Sequence, residues 1–213
     1  MKIVAKTDQG KIRKDNQDSF AAGELPGGVV WAVVCDGMGG AAGGSVASQT
    51  AVKMISEKIA SGYQYGMSDK SIKNLLTSVV ESANSSIYEM SCSVESLNGM
   101  GTTVVVSVIR DKELYLVHAG DSRAYRVTKD SITQLTRDHS VVQDMVEHGE
   151  LTEEQAKAHP RKNIITRALG VSAEIETDYY QDTLDEGDVI IILRPMIYIM
   201  PPETIIITSL RTD

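Results

Sequence analysis

Cysteine is scarce. Cys35 and Cys92 are the two in 213 residues, and they form no CxxC pair, which excludes a disulfide framework and argues against a zinc or redox motif. Long apolar runs are missing as well: the most hydrophobic stretch, 189–200, is interrupted by Arg194 and Pro195 and is too short to cross a bilayer. Met1-Lys2-Ile3-Val4-Ala5-Lys6 lacks the apolar core of a signal peptide, so the expected setting is soluble, reducing and cytoplasmic. Basic residues are the minority, 21 against 29 acidic ones, for a net charge of −8. That balance disfavours nucleic acid and anionic membranes as partners, because neither meets a basic face. It leaves carboxylates available, and those are the ligands that hard divalent cations need. Aromatics make up only 5% of the chain, but 42% of it is hydrophobic, which suits one compact domain over 1–213 and excludes intrinsic disorder.

The hydrophobic period changes along the chain. Residues 29–35, Val-Val-Trp-Ala-Val-Val-Cys, form a continuous apolar run expected of a strand buried on both faces. Residues 46–60 switch to helical spacing. The stretch 71–90 is the clearest helix, with Ile72, Leu75, Leu76, Val79, Val80, Ala83 and Ile87 at three- and four-residue steps. From 101 the pattern becomes a meander: strands are expected at 102–109, 113–118, 123–127 and 132–135, joined by turns at Asp111-Lys112, 119–122 and Lys129-Asp130. Connections that short leave no room for crossover helices, so the pairing is antiparallel. One or two short polar helices follow over 138–158, broken near Gly149, then an irregular segment to Gly170 and another buried strand at 188–193. Strands in runs and helices in pairs predict an α+β fold.

Cys35-Asp36-Gly37-Met38-Gly39-Gly40 places a carboxylate at the end of a buried strand, with glycines leading into a helix. Gly37, Gly39 and Ala42 satisfy the spacing of a dinucleotide-binding turn. That reading puts Asp36 against a pyrophosphate with no cation between them, and Glu57, where a ribose-binding acid is due, falls inside a helix rather than at a strand end. Two readings remain: Asp36 binds a divalent metal, with glycines letting backbone carbonyls approach the ion, or it caps the turn before the helix. Upstream, residues 10–19 look by composition like a solvated polar loop. Downstream, Asp121 lies in a tight turn between two buried strands, and Leu135-Thr136-Arg137-Asp138-His139-Ser140 is compatible with a strand end and a helix cap. His118, His139, His148 and His159 are scattered without metal-ligand spacing, and a structural role is favoured for them.

Taken in this order, the segments resemble the metal-dependent protein serine/threonine phosphatases of the type 2C family, in their bacterial form. The resemblance rests on Arg13 with Asn16-Gln17-Asp18-Ser19, on Val34 through Gly40, on Gly101-Thr102-Thr103, on His118 through Tyr125, on Leu135 through Ser140 and on His159 through Gly170. It covers about residues 1–193. It implies a β-sandwich of two antiparallel sheets flanked by pairs of helices, with a mobile flap over about 140–170, and a centre holding two Mn²⁺ or Mg²⁺ ions and a weaker third. By this resemblance Asp36 corresponds to the carboxylate that bridges both ions. Gly37 supplies a carbonyl oxygen, Asp18 binds or orients metal-bound water, and Asp121 corresponds to a ligand of the third ion. Arg13 corresponds to the guanidinium that grips the substrate phosphate, a planar bidentate clamp that lysine would not provide. Gln17 stands where many members carry Glu. The implied activity is hydrolysis of phosphoserine and phosphothreonine by a metal-activated water. The implied partners are phosphorylated proteins, substrates of a serine/threonine kinase, acted on by a monomer. No nucleophilic Ser or Cys is required, and Cys35 is expected to be a core residue.

The pattern is lost after Leu193. In the family such a strand runs into Ser-Asp-Gly, whose Asp is a principal metal ligand, and a later Asp-Asn pair binds the same ion. Here Arg194-Pro195-Met196 follows, and the acidic residues after Asp188 are Glu203 and Asp213. The chain is expected to be a truncated or frameshifted member, incomplete at the C-terminus, in which Arg194 repels rather than ligates an ion. The alternative function is an inactive relative that binds phosphoprotein or metal without turnover.

Overall fold

A computed structural model describes residues 1–7, 15–194 and, as backbone, 204–209. In chain order the elements are β1 (Lys2–Thr7), β2 (Asp18–Leu25), β3 (Val29–Met38), α1 (Gly40–Gly62), α2 (Asp69–Ser93), a 3₁₀ turn (Glu95–Leu97), β4 (Gly101–Thr102), β5 (Val104–Arg110) and β6 (Glu113–Ala119). There follow β7 (Arg123–Val127), β8 (Ile132–Gln134), α3 (Val141–Glu147), α4 (Glu153–Ala158), β9 (Asp178–Thr183), β10 (Val189–Leu193) and β11 (Thr204–Ser209). Two antiparallel sheets result. One has the order β1-β11-β10-β7-β8, the other β2-β3-β5-β6-β9 with β4 paired to β3.

The apolar run of β3 is continuous because the strand serves two cores. Trp31, Val33 and Cys35 face a core shared with Ile55 and Ile59 of α1 and with Ile72, Leu76, Val80 and Ile87 of α2. Ala32 and Val34, on the other side of the pleat, join Val105, Leu114, Leu116, Ala124, Ile190 and Ile192 between the sheets. The helix pair thus covers the outer face of the β3 sheet, and burial of these side chains is the main stabilising term. Ser68 caps α2 by accepting the Ser71 N–H at 3.2 Å.

The helices and the four strands from 101 to 135 stand where the periodicity predicts them, but the meander is corrected at 119–122: β5 pairs with β6 and β7 with β8, whereas β6 and β7 lie in different sheets, because that turn carries the chain across the sandwich. Four strands are not among those expected: β1, β2 and β9 are mixed in polarity and largely half-buried or exposed, so alternation is weak, and β11 lies beyond the point where the family pattern is lost. The reading of 10–19 as a solvated loop is corrected at its end, because Asp18 is buried and begins β2. Residues 8–14 lie outside the described residues. After Leu193, where the family pattern is lost, the backbone of β11 still closes the sheet between β1 and β10.

Candidate active site

The two central carboxylates are brought together by strand register. β2 and β3 pair so that Asp18 is opposite Asp36, and directly opposed residues project to the same side of a sheet. The Asp36 backbone is locked on both sides: its N–H donates to Thr103 Oγ1 at 3.0 Å, and its carbonyl accepts Thr102 Oγ1 and the Thr103 N–H, each at 3.0 Å. Thr103 Oγ1 is also 2.7 Å from Ser122 Oγ, which ties this strand end to the turn carrying Asp121. The carbonyl of Gln17 accepts the Gly37 N–H at 3.2 Å and Ser48 Oγ at 2.6 Å, fastening the residue before Asp18 to β3 and α1.

Glycine is required here for two different reasons. A Cβ on Gly37 would intrude on the Gly44 carbonyl and lie 2.6 Å from the Gln17 carbonyl oxygen, so only glycine lets α1 start against the strand end. Gly39, the N-cap of α1, has φ 118, a left-handed conformation that costs other residues. Since Gly39 holds the cap position and Asp36 lies three residues before it, the reading of Asp36 as the helix cap is overturned. The cap reading does hold for Ser140, which accepts the Gln143 N–H at 3.2 Å at the start of α3.

Arg194 enters the same place from the end of β10. Its Nε lies 3.4 Å from Asp18 Oδ2 and its Nη1 3.9 Å from Asp36 Oδ2. Nothing in its own neighbourhood in the sequence announces these partners; the signal was the arginine where an acidic ligand is due. Arg13 lies outside the described residues. Cys35 is buried, and burial pushes its thiol far up, which makes it a core residue and not a nucleophile.

Burial, with the charge of Asp138 adding to it, pushes the Asp121 carboxyl up to about 6. The folded chain therefore binds this proton more tightly than the unfolded chain, and the associated stability is present at low pH and lost as pH rises through about 6. In metal-free buffer Asp121→Asn is expected to remove that slope and to be more stable than the parent at neutral pH by about 1–3 kcal/mol. Melting temperatures recorded across mildly acidic to neutral pH check this; parallel curves for the two proteins would refute it.

His118 and His139, far apart in sequence, stack with ring centroids 4.6 Å apart. His118 Nε2 meets the Arg137 carbonyl at 2.8 Å, and His139 Nδ1 accepts the Gly120 N–H at 3.1 Å. That acceptance assigns the His139 proton to Nε2, which faces Asp178 Oδ2 at 3.2 Å. With Asp178 these are the one set of close metal-type ligands among the described residues. Arg167 already binds Asp178 at 2.9 Å and lies 3.3 Å from His139 Nε2. His118 Nε2 and both nitrogens of His139 thus have partners, and burial lowers both imidazole pKa values. This cluster ties the Asp121 turn to residues 137–167, and the expectation of scattered side chains without metal-ligand geometry fails for these two. Beside Met38, two residues beyond Asp36, a cleft of about 400 Å³ opens between 163–168 and 171–176, lined by Ile164, Ile165, Arg167, Val171 and Ile175.

Residues 11–209 match the profile of the family described as Protein phosphatase 2C. The chain belongs to this family. This type 2C phosphatase chain is 35% identical over 199 residues to the serine/threonine phosphatase stp of Listeria monocytogenes, covering 93% of this chain and 79% of that protein. Among solved structures it is similar to the S. agalactiae serine/threonine phosphatase, with a TM-score of 0.84, 34% identity and coverage of 90% of this chain and 78% of that one. It is also similar to the catalytic domain of the serine/threonine protein phosphatase PstP in complex with two manganese ions, with a TM-score of 0.77, 31% identity and coverage of 91% and 76%. The expected β-sandwich is thus the fold of this type 2C phosphatase, and a protein phosphatase is the kind of enzyme it is.

Proposed function

We propose that this type 2C phosphatase hydrolyses phosphoserine and phosphothreonine in cytoplasmic proteins with the help of Mn²⁺ or Mg²⁺, at a site weakened by Arg194. Asp36, Asp18 and the Gly37 carbonyl are the residues to hold the inner ion, and Asp121 the residue to hold an outer one. Two carboxylates on paired strands beside backbone oxygens are a donor set of the hard-oxygen kind, so the residues fit one such ion in kind. A second inner ion lacks its carboxylates among the described residues, and a guanidinium stands near its ligands instead. When bound, a divalent ion there supplies Lewis acidity to the attacking water and to the phosphoryl oxygens.

The chain's own residues do the rest. Asp18 and Asp36 hold the charge that orients the site, Arg13 clamps the phosphate dianion, and the segment 140–170 forms the flap beside the cleft. The partners this chemistry needs are phosphoproteins made by a serine/threonine kinase. The chain is proposed to act as a monomer without nucleic acid or membrane. Among the described residues no helix is long and apolar enough to cross a membrane.

One observation carries the reading: Asp18 and Asp36 stand opposite each other at one sheet edge in a member of a phosphatase family. A second reading, binding of phosphoprotein or metal without turnover, is supported by the buried Arg194 at that edge. Phosphate release from a phosphothreonine peptide separates the two. Turnover that appears only on addition of Mn²⁺, with Arg13→Ala raising KM and leaving Mn²⁺ affinity unchanged, is the expected result. Mn²⁺ binding without any release favours the second reading, and release indifferent to Mn²⁺ and EDTA overturns both.

A further inference from the structure

The carboxylates of Asp18 and Asp36 are 1% and 20% exposed, and the Arg194 side chain between them and β10 is 9% exposed. Two facing carboxylates repel one another, and a buried one is costly to keep ionised without a cation nearby. At 3.4 and 3.9 Å the guanidinium makes ion pairs longer than a fork of hydrogen bonds. Its charge also reaches the outer carboxyl, where it opposes the upward push of burial on Asp121.

We propose that Arg194 is a resident cation of the site: its guanidinium offsets the charge of Asp18 and Asp36 in the metal-free protein and competes with a divalent ion for them. The competition follows from distance and charge. A Mg²⁺-type ion needs its oxygens at about 2.1 Å, so an ion that takes these carboxylates meets a positive charge that burial keeps within about 4 Å of the same groups. Arg194 therefore stabilises the metal-free fold and weakens metal binding by one and the same contact. The second half rests on the reading of Asp18 and Asp36 as metal-binding carboxylates; the first half does not.

The test uses the full chain, with Mn²⁺ titration by calorimetry and thermal unfolding in EDTA, on the parent, Arg194→Lys and Arg194→Gln. Arg194→Gln is expected to bind Mn²⁺ about tenfold or more tightly and to melt about 4 °C or more lower in EDTA, with Mn²⁺ restoring the loss. Arg194→Lys, which keeps the charge, is expected to stay near the parent in both. Equal Mn²⁺ affinity in the parent and Arg194→Gln overturns the role given to Arg194. If neither binds Mn²⁺ while Arg194→Gln still melts lower in EDTA, the competition falls because the metal reading of the carboxylates has failed. Should Arg194→Gln not fold in EDTA, refolding in Mn²⁺ decides: recovery supports the proposal and no recovery overturns it.

Discussion

Asp36→Asn is expected to lower Mn²⁺-dependent phosphate release by roughly three orders of magnitude, the loss that follows from removing several kcal/mol of charge stabilisation at the reacting phosphoryl group. The chain is expected to stay folded. The backbone of Asp36 is held by Thr102 and Thr103 through its N–H and carbonyl, and none of those bonds uses the side chain. Arg194 keeps Asp18 at 3.4 Å, and one of two facing negative charges is gone, so the melting temperature should move by no more than about 3 °C. Circular dichroism, Mn²⁺ titration and phosphate release on the same preparation check the three parts. Unchanged Mn²⁺ affinity in this variant would remove Asp36 from the metal site.

Arg126→Met is expected to cost about 3–5 kcal/mol of stability, a fall in melting temperature of about 10 °C for a chain of this size. Arg126 lies on β7 of one sheet. Its Nη1 is 2.8 Å from Asp182 on β9 of the other sheet, and its Nε is 2.8 Å from Asp188, at the entrance to β10. One guanidinium therefore clasps the passage of the chain from sheet to sheet. The third partner, Asp185, is 86% exposed and its pair is worth little. Asp188 is the costly one, because its side chain is 6% exposed and without Arg126 it keeps, among the described residues, the Asp185 N–H at 2.9 Å. Adding Asp188→Asn to Arg126→Met should recover part of the loss, since a buried amide is cheaper to leave than a buried charge. A single-variant loss below about 1 kcal/mol would show that water replaces the clasp.

Much of this molecule is written in short-range pattern. The steps of three and four in 71–90 record a helix with one buried face, and α2 spans Asp69–Ser93. The unbroken apolar run at 29–35 records a strand buried on both sides, and the alternate residues of β3 do lie in two cores. Tight turns between β-branched runs force antiparallel neighbours in β5–β6 and β7–β8, but the equally short turn at 119–122 crosses from one sheet to the other, which no local pattern reports. The strands that escape notice are β1 and β9, which are edge or half-exposed, β2, whose first residue Asp18 is polar by type and buried by place, and β11, beyond the lost family pattern. A carboxylate with no local hydrophobic pattern carries no mark of its own burial.

The site was legible to the same extent and for the same reason. Asp36-Gly37 at a strand end announces itself, because the glycine that permits close approach to α1 adjoins the acid it positions. The family, too, follows from motifs in order along the chain. The sequence by itself thus determined the sheets' antiparallel character, the helix pair and the family. Only the tertiary structure decided which charges meet: Arg194 with Asp18 and Asp36, Arg126 with Asp182 and Asp188, His118 stacked on His139. Local periodicity encodes which face of an element is buried. Pairing register brings together residues from distant parts of the chain, and the energy of an ion pair depends on that distance and on burial, neither of which a neighbour in sequence can report.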